Sequence, residues 1–201
     1  MKLENITIQK IIAAYTKKNY KLGVGINYMN PFGVRAATGL TNTFDDVVGL
    51  IYHDENDQWA IKVYPATTDP GAYWIANPMN VEGTAIVVPG QYKDSHVVGL
   101  HQGKYKALVQ NSPIRVYRDK DKDNEYDYDL HTVQNGMFGI NIHRANEAHT
   151  SVNNDKWSAG CQVIANPKHF AEFMGLIDLH VMMTIYDNKF TYTLFEEKDL
   201  A

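Results

Sequence analysis

Short apolar runs separated by turn residues dominate the sequence from residue 47 onward. Runs of this length, with Pro-Gly, Gly or Asp-Asn between them, are typical of β-strands rather than of helices. The pattern predicts a hairpin with its turn at residues 53–57 and a second hairpin across residues 187–189. The predicted strands are 47–52, 59–64, 85–88, 96–100, 107–110, 114–117, 138–143, 181–186 and 190–194.

Two segments carry apolar residues at helical spacing, one near each end of the chain. They predict an amphipathic helix over residues 6–18 and a second helix over residues 167–179. Residues 19–45 are rich in Gly, Asn and Thr, and we predict them to be irregular. The expected fold is therefore α+β and β-rich, with an N-terminal helical extension at residues 1–45 and a main domain at residues 46–201.

Charge and hydropathy argue against two classes of partner. The 201 residues carry a net charge of −4, so we expect no nucleic-acid partner. The apolar runs fall short of the roughly 18 residues of a membrane helix, so we expect no membrane span. The first residues also lack the apolar core of a secretory signal. We expect a chain without a signal peptide or, alternatively, a mature exported protein from which the signal has been removed.

The single cysteine is the strongest candidate for chemistry. One cysteine excludes a disulfide within the chain, which leaves a buried small side chain or a reactive thiol. Cys161 follows Gly160, and His143 ends the predicted strand 138–143. A thiol near its ordinary pKa is mostly protonated at neutral pH, and an imidazole is the simplest base to activate it. Gly160 allows a sharp bend, and the amides of Gly160 and Cys161 are candidate donors to an oxyanion.

The order His, variable loop, Ser158-Ala159-Gly160-Cys161 resembles the catalytic motif of the L,D-transpeptidase (YkuD-type) family. Residues 67–74, Thr-Thr-Asp-Pro-Gly-Ala-Tyr-Trp, are similar to the family's upstream Thr-Pro-x-Gly-x-Tyr/Phe segment. The resemblance covers roughly residues 60–190 and is specific at the His and Ser-x-Gly-Cys segments. It implies a mixed-sheet L,D-transpeptidase-like catalytic domain, with this chain as a divergent member.

The resemblance also implies roles for individual residues. Cys161 would be the nucleophile and His143 the general base, with the His143 ring oriented by the backbone carbonyl of Arg144. Ser158 would be a supporting hydroxyl near the substrate. The Gly160 amide, with that of Cys161, would line the oxyanion site.

Four residues are candidates for substrate binding. Ala159 stands where the family usually has His, and the Arg or Asn that usually follows the cysteine is replaced at Gln162 or Val163. These departures affect substrate contacts more than the nucleophile. Arg144 suits bidentate recognition of a stem-peptide carboxylate, and a surface salt bridge is an equal alternative. Trp157 is either a wall of the substrate cleft or a packing residue.

The implied function is acyl transfer on the stem peptides of peptidoglycan, through a thioester on the cysteine and without a cofactor. We favour hydrolysis, as in a lysin-like peptidase that stays in the cytoplasm until release and then acts on the cell wall. One alternative is an L,D-transpeptidase that forms wall cross-links. Another is a non-catalytic binding protein that retains the fold.

Acidic residues alternate in the segment that contains Asp119, Asp121 and Asp123, a spacing that calcium loops use. The sixth position is Asn124 rather than Gly, and the twelfth is Leu130 rather than Glu. We therefore predict a solvated hairpin loop and no metal, with a metal site as the weaker alternative. His101 and His131 are isolated in the sequence, and we predict no special role for either.

Overall fold

The computed structural model describes residues 2–185 and 187–201. The α-helices are α1 (Ile8–Lys17), α2 (Ala72–Ala76) and α3 (Pro167–Met183), and short 3₁₀ helices cover Leu3–Asn5, Leu130–Thr132 and Glu197–Leu200. The strands are β1 (Asn30–Arg35), β2 (Asp46–His53), β3 (Trp59–Thr67), β4 (Thr84–Val87), β5 (Gly90–His101), β6 (Tyr105–Gln110), β7 (Ile114–Asp119), β8 (Gln134–Gly136), β9 (Ile142–Arg144), β10 (Gln162–Ile164) and β11 (Phe190–Glu196).

Eight of these strands close into a barrel, and three form a separate sheet. The barrel order is β1-β11-β5-β6-β9-β10-β3-β2, and the small sheet has the order β4-β7-β8. The pairs β1/β11 and β9/β10 are parallel, whereas the other pairs are antiparallel. The prediction of a β-rich α+β fold with a large mixed sheet is confirmed.

Local sequence patterns account for the elements at the start of the barrel. The side chain of Thr7 accepts a hydrogen bond from the amide of Lys10 and caps α1. The apolar face of α1 packs on β1, β2 and β11 in a cluster that includes Ile11, Phe32 and Phe195. The hairpin of β2 and β3 forms as predicted.

The segment 19–45, predicted to be irregular, contains β1, and that prediction was wrong. Every residue of β1 is buried, although the strand includes Pro31 and Gly33. A side chain at Gly33 would meet the hydroxyl of Tyr192 at 2.1 Å, so glycine is required for this packing. Hydrogen bonding to β2 and β11 on both sides overrides the weak local preference. The strand thus belongs to the same barrel as the residues after position 46.

The last hairpin was also predicted wrongly. Residues 181–183 continue α3 instead of forming a strand, and Tyr186 lies outside the described residues. His180, near the end of the helix, accepts a hydrogen bond at Nδ1 from the amide of Met29 at 2.9 Å and packs against Phe190. These tertiary contacts favour the longer helix. The predicted strand 138–143 is likewise shorter, because pairing begins only at Ile142.

The parallel pair β9/β10 determines where the candidate site lies. Ile142 is opposite Gln162, and His143 is opposite Val163. Cys161 directly precedes β10, so the register places it beside the residues that lead into β9. Within the described part of the chain, none of the helices has the length and apolarity to cross a membrane.

Candidate active site

The Cys161 thiol is half-buried and lies against the chain that leads into β9. Its Sγ donates to the carbonyl oxygen of Gly139 at 3.4 Å and accepts from the amide of Asn141 at 3.5 Å. The amide of Gln162 donates to the carbonyl of Asn141 at 2.9 Å and fixes the two segments together. The nucleophile candidate is therefore held by backbone groups of the segment that ends in His143.

His143 is held in one orientation by the backbone, as the resemblance implied. Its Nδ1 lies 2.7 Å from the carbonyl oxygen of Arg144, which can only accept, so Nδ1 carries the proton. In this tautomer Nε2 has a free lone pair and is the basic nitrogen. The Tyr105 hydroxyl donates to the same carbonyl at 3.2 Å and lies 3.3 Å from Nδ1. The ring is thus held with Nε2 as its basic nitrogen.

Three residues that the sequence analysis did not assign to the site surround the thiol and the imidazole, and they include His101, for which no special role was predicted. The His101 ring stacks on the His143 ring, with centroids 3.9 Å apart and planes 19° apart. The side-chain amide of Asn141 donates to Nδ1 of His101 at 3.0 Å. Tyr105 and His101 are opposite each other across the β5/β6 hairpin. Asn141 was the most predictable of the three, because it lies two positions before His143 in a predicted strand.

Burial favours the neutral forms of both reactive groups. It raises the pKa of the Cys161 thiol to about 11, although the Asn141 amide acts in the opposite direction. Burial, as the largest cause, and the positive charges of His101 and Arg144 together lower the pKa of His143 to about 3, although the hydrogen bond to the Arg144 backbone acts in the opposite direction. Burial is the largest cause that raises the pKa of Tyr105, and the negative charge of an ionised Cys161 thiol also raises it. The resting pair at neutral pH is therefore a thiol and a neutral imidazole.

The loop before Cys161 is fixed by Ser158 and Gly160. The buried hydroxyl of Ser158 donates to the carbonyl of Cys161 at 2.8 Å and accepts from the amide of Gly160 at 3.1 Å. Gly160 has a φ of 119°, and a Cβ there would lie 2.5 Å from the carbonyl oxygen of Ala85. Gly160 thus allows close approach to β4, and Ser158 positions the loop through backbone contacts.

Two of the predicted roles in this loop need correction. The amide of Gly160 is already bonded to the Ser158 hydroxyl, which leaves the Cys161 amide as the remaining predicted donor to an oxyanion. Gln162 does not reach the surface, because its side chain is fully buried and accepts from the hydroxyl of Tyr192 at 2.6 Å. Gln162 therefore stabilises the fold and does not contact a ligand.

The segment 67–74 packs directly beneath the cysteine loop. The amide of Gly71 donates to the carbonyl of Ser158 at 2.8 Å, and the indole of Trp74 donates to the carbonyl of Lys156 at 3.0 Å. A Cβ at Gly71 would meet the carbonyl oxygen of Asp155 at 2.1 Å. The upstream motif thus lies beside the Ser-x-Gly-Cys segment in space.

Two cavities lie along the segment that holds the thiol. The larger, of about 580 Å³, is lined by His143, Arg144 and Trp157 together with His101 and Tyr105. A second cavity, of about 280 Å³, is lined by residues that include Ala159, Ala85, Arg118, Met137 and Phe138. Met137 lines the smaller cavity and His143 lines the larger one. Gly139 and Asn141, which contact Sγ of Cys161, lie between them in the sequence.

Arg144 forms the salt bridge that was one of the two alternatives for it, and binding of a substrate carboxylate stays a prediction. Its guanidinium forms an ion pair with Glu147 at 3.0 Å and lies 3.9 Å above the Tyr105 ring. Glu147 is exposed, and Arg144 also lines the larger cavity. A ligand carboxylate that bound Arg144 would compete with this exposed partner.

The acidic segment folds so that Asp119, Asp121 and Asp127 converge, and Asp123 is not part of this group. Asp127 was not among the candidates from the sequence.

Comparisons with protein-family models, with curated proteins and with solved structures each find no significant match.

Proposed function

We propose that the protein is a cysteine-nucleophile enzyme that transfers acyl groups from peptides, with Cys161 as the nucleophile and His143 as the base. The observation that carries this proposal is the link between the two groups through Asn141, whose amide contacts the thiol and whose side chain bonds to the His101 ring stacked on His143. The fixed tautomer of His143 supports its role as a proton acceptor.

In the proposed mechanism both groups start neutral. Nε2 of His143 takes the thiol proton as the sulfur attacks a peptide carbonyl, and a C–S bond forms. The oxyanion is stabilised by the amide of Cys161, which lies at the turn that Gly160 and Ser158 fix. The C–N bond then breaks, and the leaving amine takes the proton from His143. His143 then takes a proton from the acceptor, water or an amine, as the acceptor attacks the thioester. The C–S bond breaks, the acyl group leaves on the acceptor, and the sulfur takes the proton back from His143.

The proposed substrate is the stem peptide of peptidoglycan, and the chain is proposed to be a divergent member of the L,D-transpeptidase family. The motif resemblance supports this, and so does the packing of residues 67–74 against the cysteine loop. Arg144 at the rim of the larger cavity is suited to a substrate carboxylate.

Water is the favoured acceptor, because Ala159 replaces the usual His and Gln162 is buried, so the usual substrate contacts of the transferase are altered. An amine acceptor is the alternative. One observation favours it: Ala159 of the cysteine loop lines one cavity and His143 lines another, which suits one donor and one acceptor peptide. A non-catalytic binding protein is the third possibility.

Incubation with purified peptidoglycan, followed by mass spectrometry of the fragments, tests the proposal. Walls with diaminopimelate and walls with lysine in the stem should both be used. Shortened or cut stem peptides support the hydrolase, and new cross-links support the transferase.

Matched variants assign the activity to the pair. Cys161→Ala and His143→Gln should abolish product formation, whereas His131→Phe, which alters an exposed histidine, should leave it intact. Identical fragment patterns for the parent protein and for Cys161→Ala on both walls would contradict the enzymatic proposal. The non-catalytic binding protein would then be the favoured alternative.

A further inference from the structure

At the end of β7, the Asp119 carboxylate is buried with one oxygen unpartnered. Asp119 is 1% exposed, and its Oδ1 has no hydrogen-bond partner. The other oxygen, Oδ2, accepts only a long hydrogen bond from the amide of Asp127, at 3.4 Å. A buried ionised carboxylate with an unsatisfied oxygen is costly unless a cation compensates its charge or a proton neutralises it.

Two further carboxylates meet Asp119 at this point. One oxygen from each of Asp119, Asp121 and Asp127 lies within 4.8 Å of the others. This spacing allows the three oxygens to contact one cation. Ca²⁺ accepts a flexible coordination geometry, whereas Mg²⁺ demands a near-ideal octahedron, so an irregular set of three carboxylates favours Ca²⁺.

In the described part of the chain, no positively charged side chain forms an ion pair with this cluster. Arg118 points away from it, since its guanidinium donates to the carbonyl of Gly83 at 3.1 Å and to the side chain of Gln134 at 2.9 Å. Among the described residues, the ion pairs involve none of the three carboxylates and neither Lys120 nor Lys122.

The loop between β7 and β8 also makes the sharp turn that such a site needs. Asn124 has a φ of 71°, a conformation that asparagine tolerates better than most residues. Asn124 therefore meets the backbone requirement for which calcium loops use glycine at this position. Asn124 in place of glycine, which argued against a metal site in the sequence analysis, is therefore compatible with a metal site in the structure.

From these observations we infer that the β7–β8 loop binds one Ca²⁺ ion through Asp119, Asp121 and Asp127. Asp119 is the buried ligand, and the exposed carboxylates of Asp121 and Asp127 are the other two charged ligands. Water and backbone carbonyls supply the remaining oxygen ligands that Ca²⁺ requires. This site is separate from the Cys161–His143 pair and does not depend on the proposed function.

Calorimetric titration of the full chain with CaCl₂, after removal of metals with a chelator, tests this inference. We expect one ion per chain with a Kd of about 1 mM or tighter, and weaker binding of MgCl₂. Saturating Ca²⁺ should also raise the Tm, because the ion binds only the folded loop. Asp121→Asn and Asp127→Asn should each weaken binding by about tenfold or more. Both substitutions alter exposed side chains, and Asn keeps one acceptor oxygen at each position.

Glu125→Gln is the matched control, because it removes the same charge from the same loop outside the cluster and should leave the Kd within about twofold. Asp119→Asn should abolish binding, and the two exposed variants keep the test valid if this buried substitution prevents folding. Absence of binding up to about 10 mM Ca²⁺ would overturn the inference. An equal loss of affinity in Glu125→Gln and Asp121→Asn would also overturn it, since it would indicate diffuse attraction.

Discussion

The His101 ring lies on the His143 ring, 3.9 Å between centroids and nearly parallel. Because Nδ1 of His101 accepts from the Asn141 side chain, the proton of the neutral His101 ring is on Nε2. Protonation of either ring places a positive charge against the other. Burial is the largest cause of the low pKa of His143, and the stacked His101 ring is the second.

Replacing His101 with Phe should therefore raise the pKa of His143. Phe keeps an apolar ring on the stack, so burial still acts, and only the repulsion between two protonated rings is lost. A base works only when it is unprotonated, so the acid limb of the pH–activity profile should move to higher pH. NMR titration of the ring nitrogens of His143 measures the shift directly. His131→Phe is the control, and an unmoved His143 pKa in His101→Phe would rule out the coupling.

The fold could be predicted from the sequence where local contacts determine it. The hairpin of β2 and β3 follows from two apolar runs and a short polar turn, which together set the register. In contrast, β1 contains Pro31 and Gly33, and its burial comes from strands far away in the sequence. The end of α3 likewise depends on contacts of His180 with Met29 and Phe190.

The candidate site divides in the same way. Cys161 and His143 were found because their chemistry is distinctive and their surroundings resemble a motif. His101 and Tyr105 come from the end of the β5/β6 hairpin, and they reach the site only because β6 pairs with β9 at Leu108 and Ile142. That pairing is non-local, so spacing along the chain does not encode it.

The reactivity of Cys161 should rise steeply with pH. Because burial raises the pKa of the thiol to about 11, the rate of alkylation by iodoacetamide should increase about tenfold per pH unit from pH 7 to 10. Mass spectrometry of the intact chain measures this rate, and the chain unfolded in urea provides the reference, with a midpoint near about 8.5. A plateau below pH 8 in the folded protein would instead indicate a preformed thiolate–imidazolium pair.

Gly160→Ala should destabilise the protein by about 2 kcal/mol or more, because it combines a left-handed backbone with a contact of 2.5 Å to the carbonyl oxygen of Ala85. Urea unfolding measures the free energy of unfolding. Gly175→Ala is the matched control, since Gly175 lies in α3 with open space around it and should gain about 0.5–1 kcal/mol. Equal effects of the two substitutions would contradict the packing argument.

Tyr105→Phe should slow the reaction without weakening substrate binding. The hydroxyl donates to the carbonyl of Arg144 that also orients His143, whereas the ring supports the Arg144 guanidinium and is kept in the variant. Losing one hydrogen bond around the base should lower kcat by roughly three- to tenfold and leave KM nearly unchanged. Steady-state kinetics on a soluble stem peptide separates the two parameters. Tyr52→Phe, on β2, should change neither of them. A rise in KM with a constant kcat would show that Tyr105 acts on the substrate rather than on the orientation of His143.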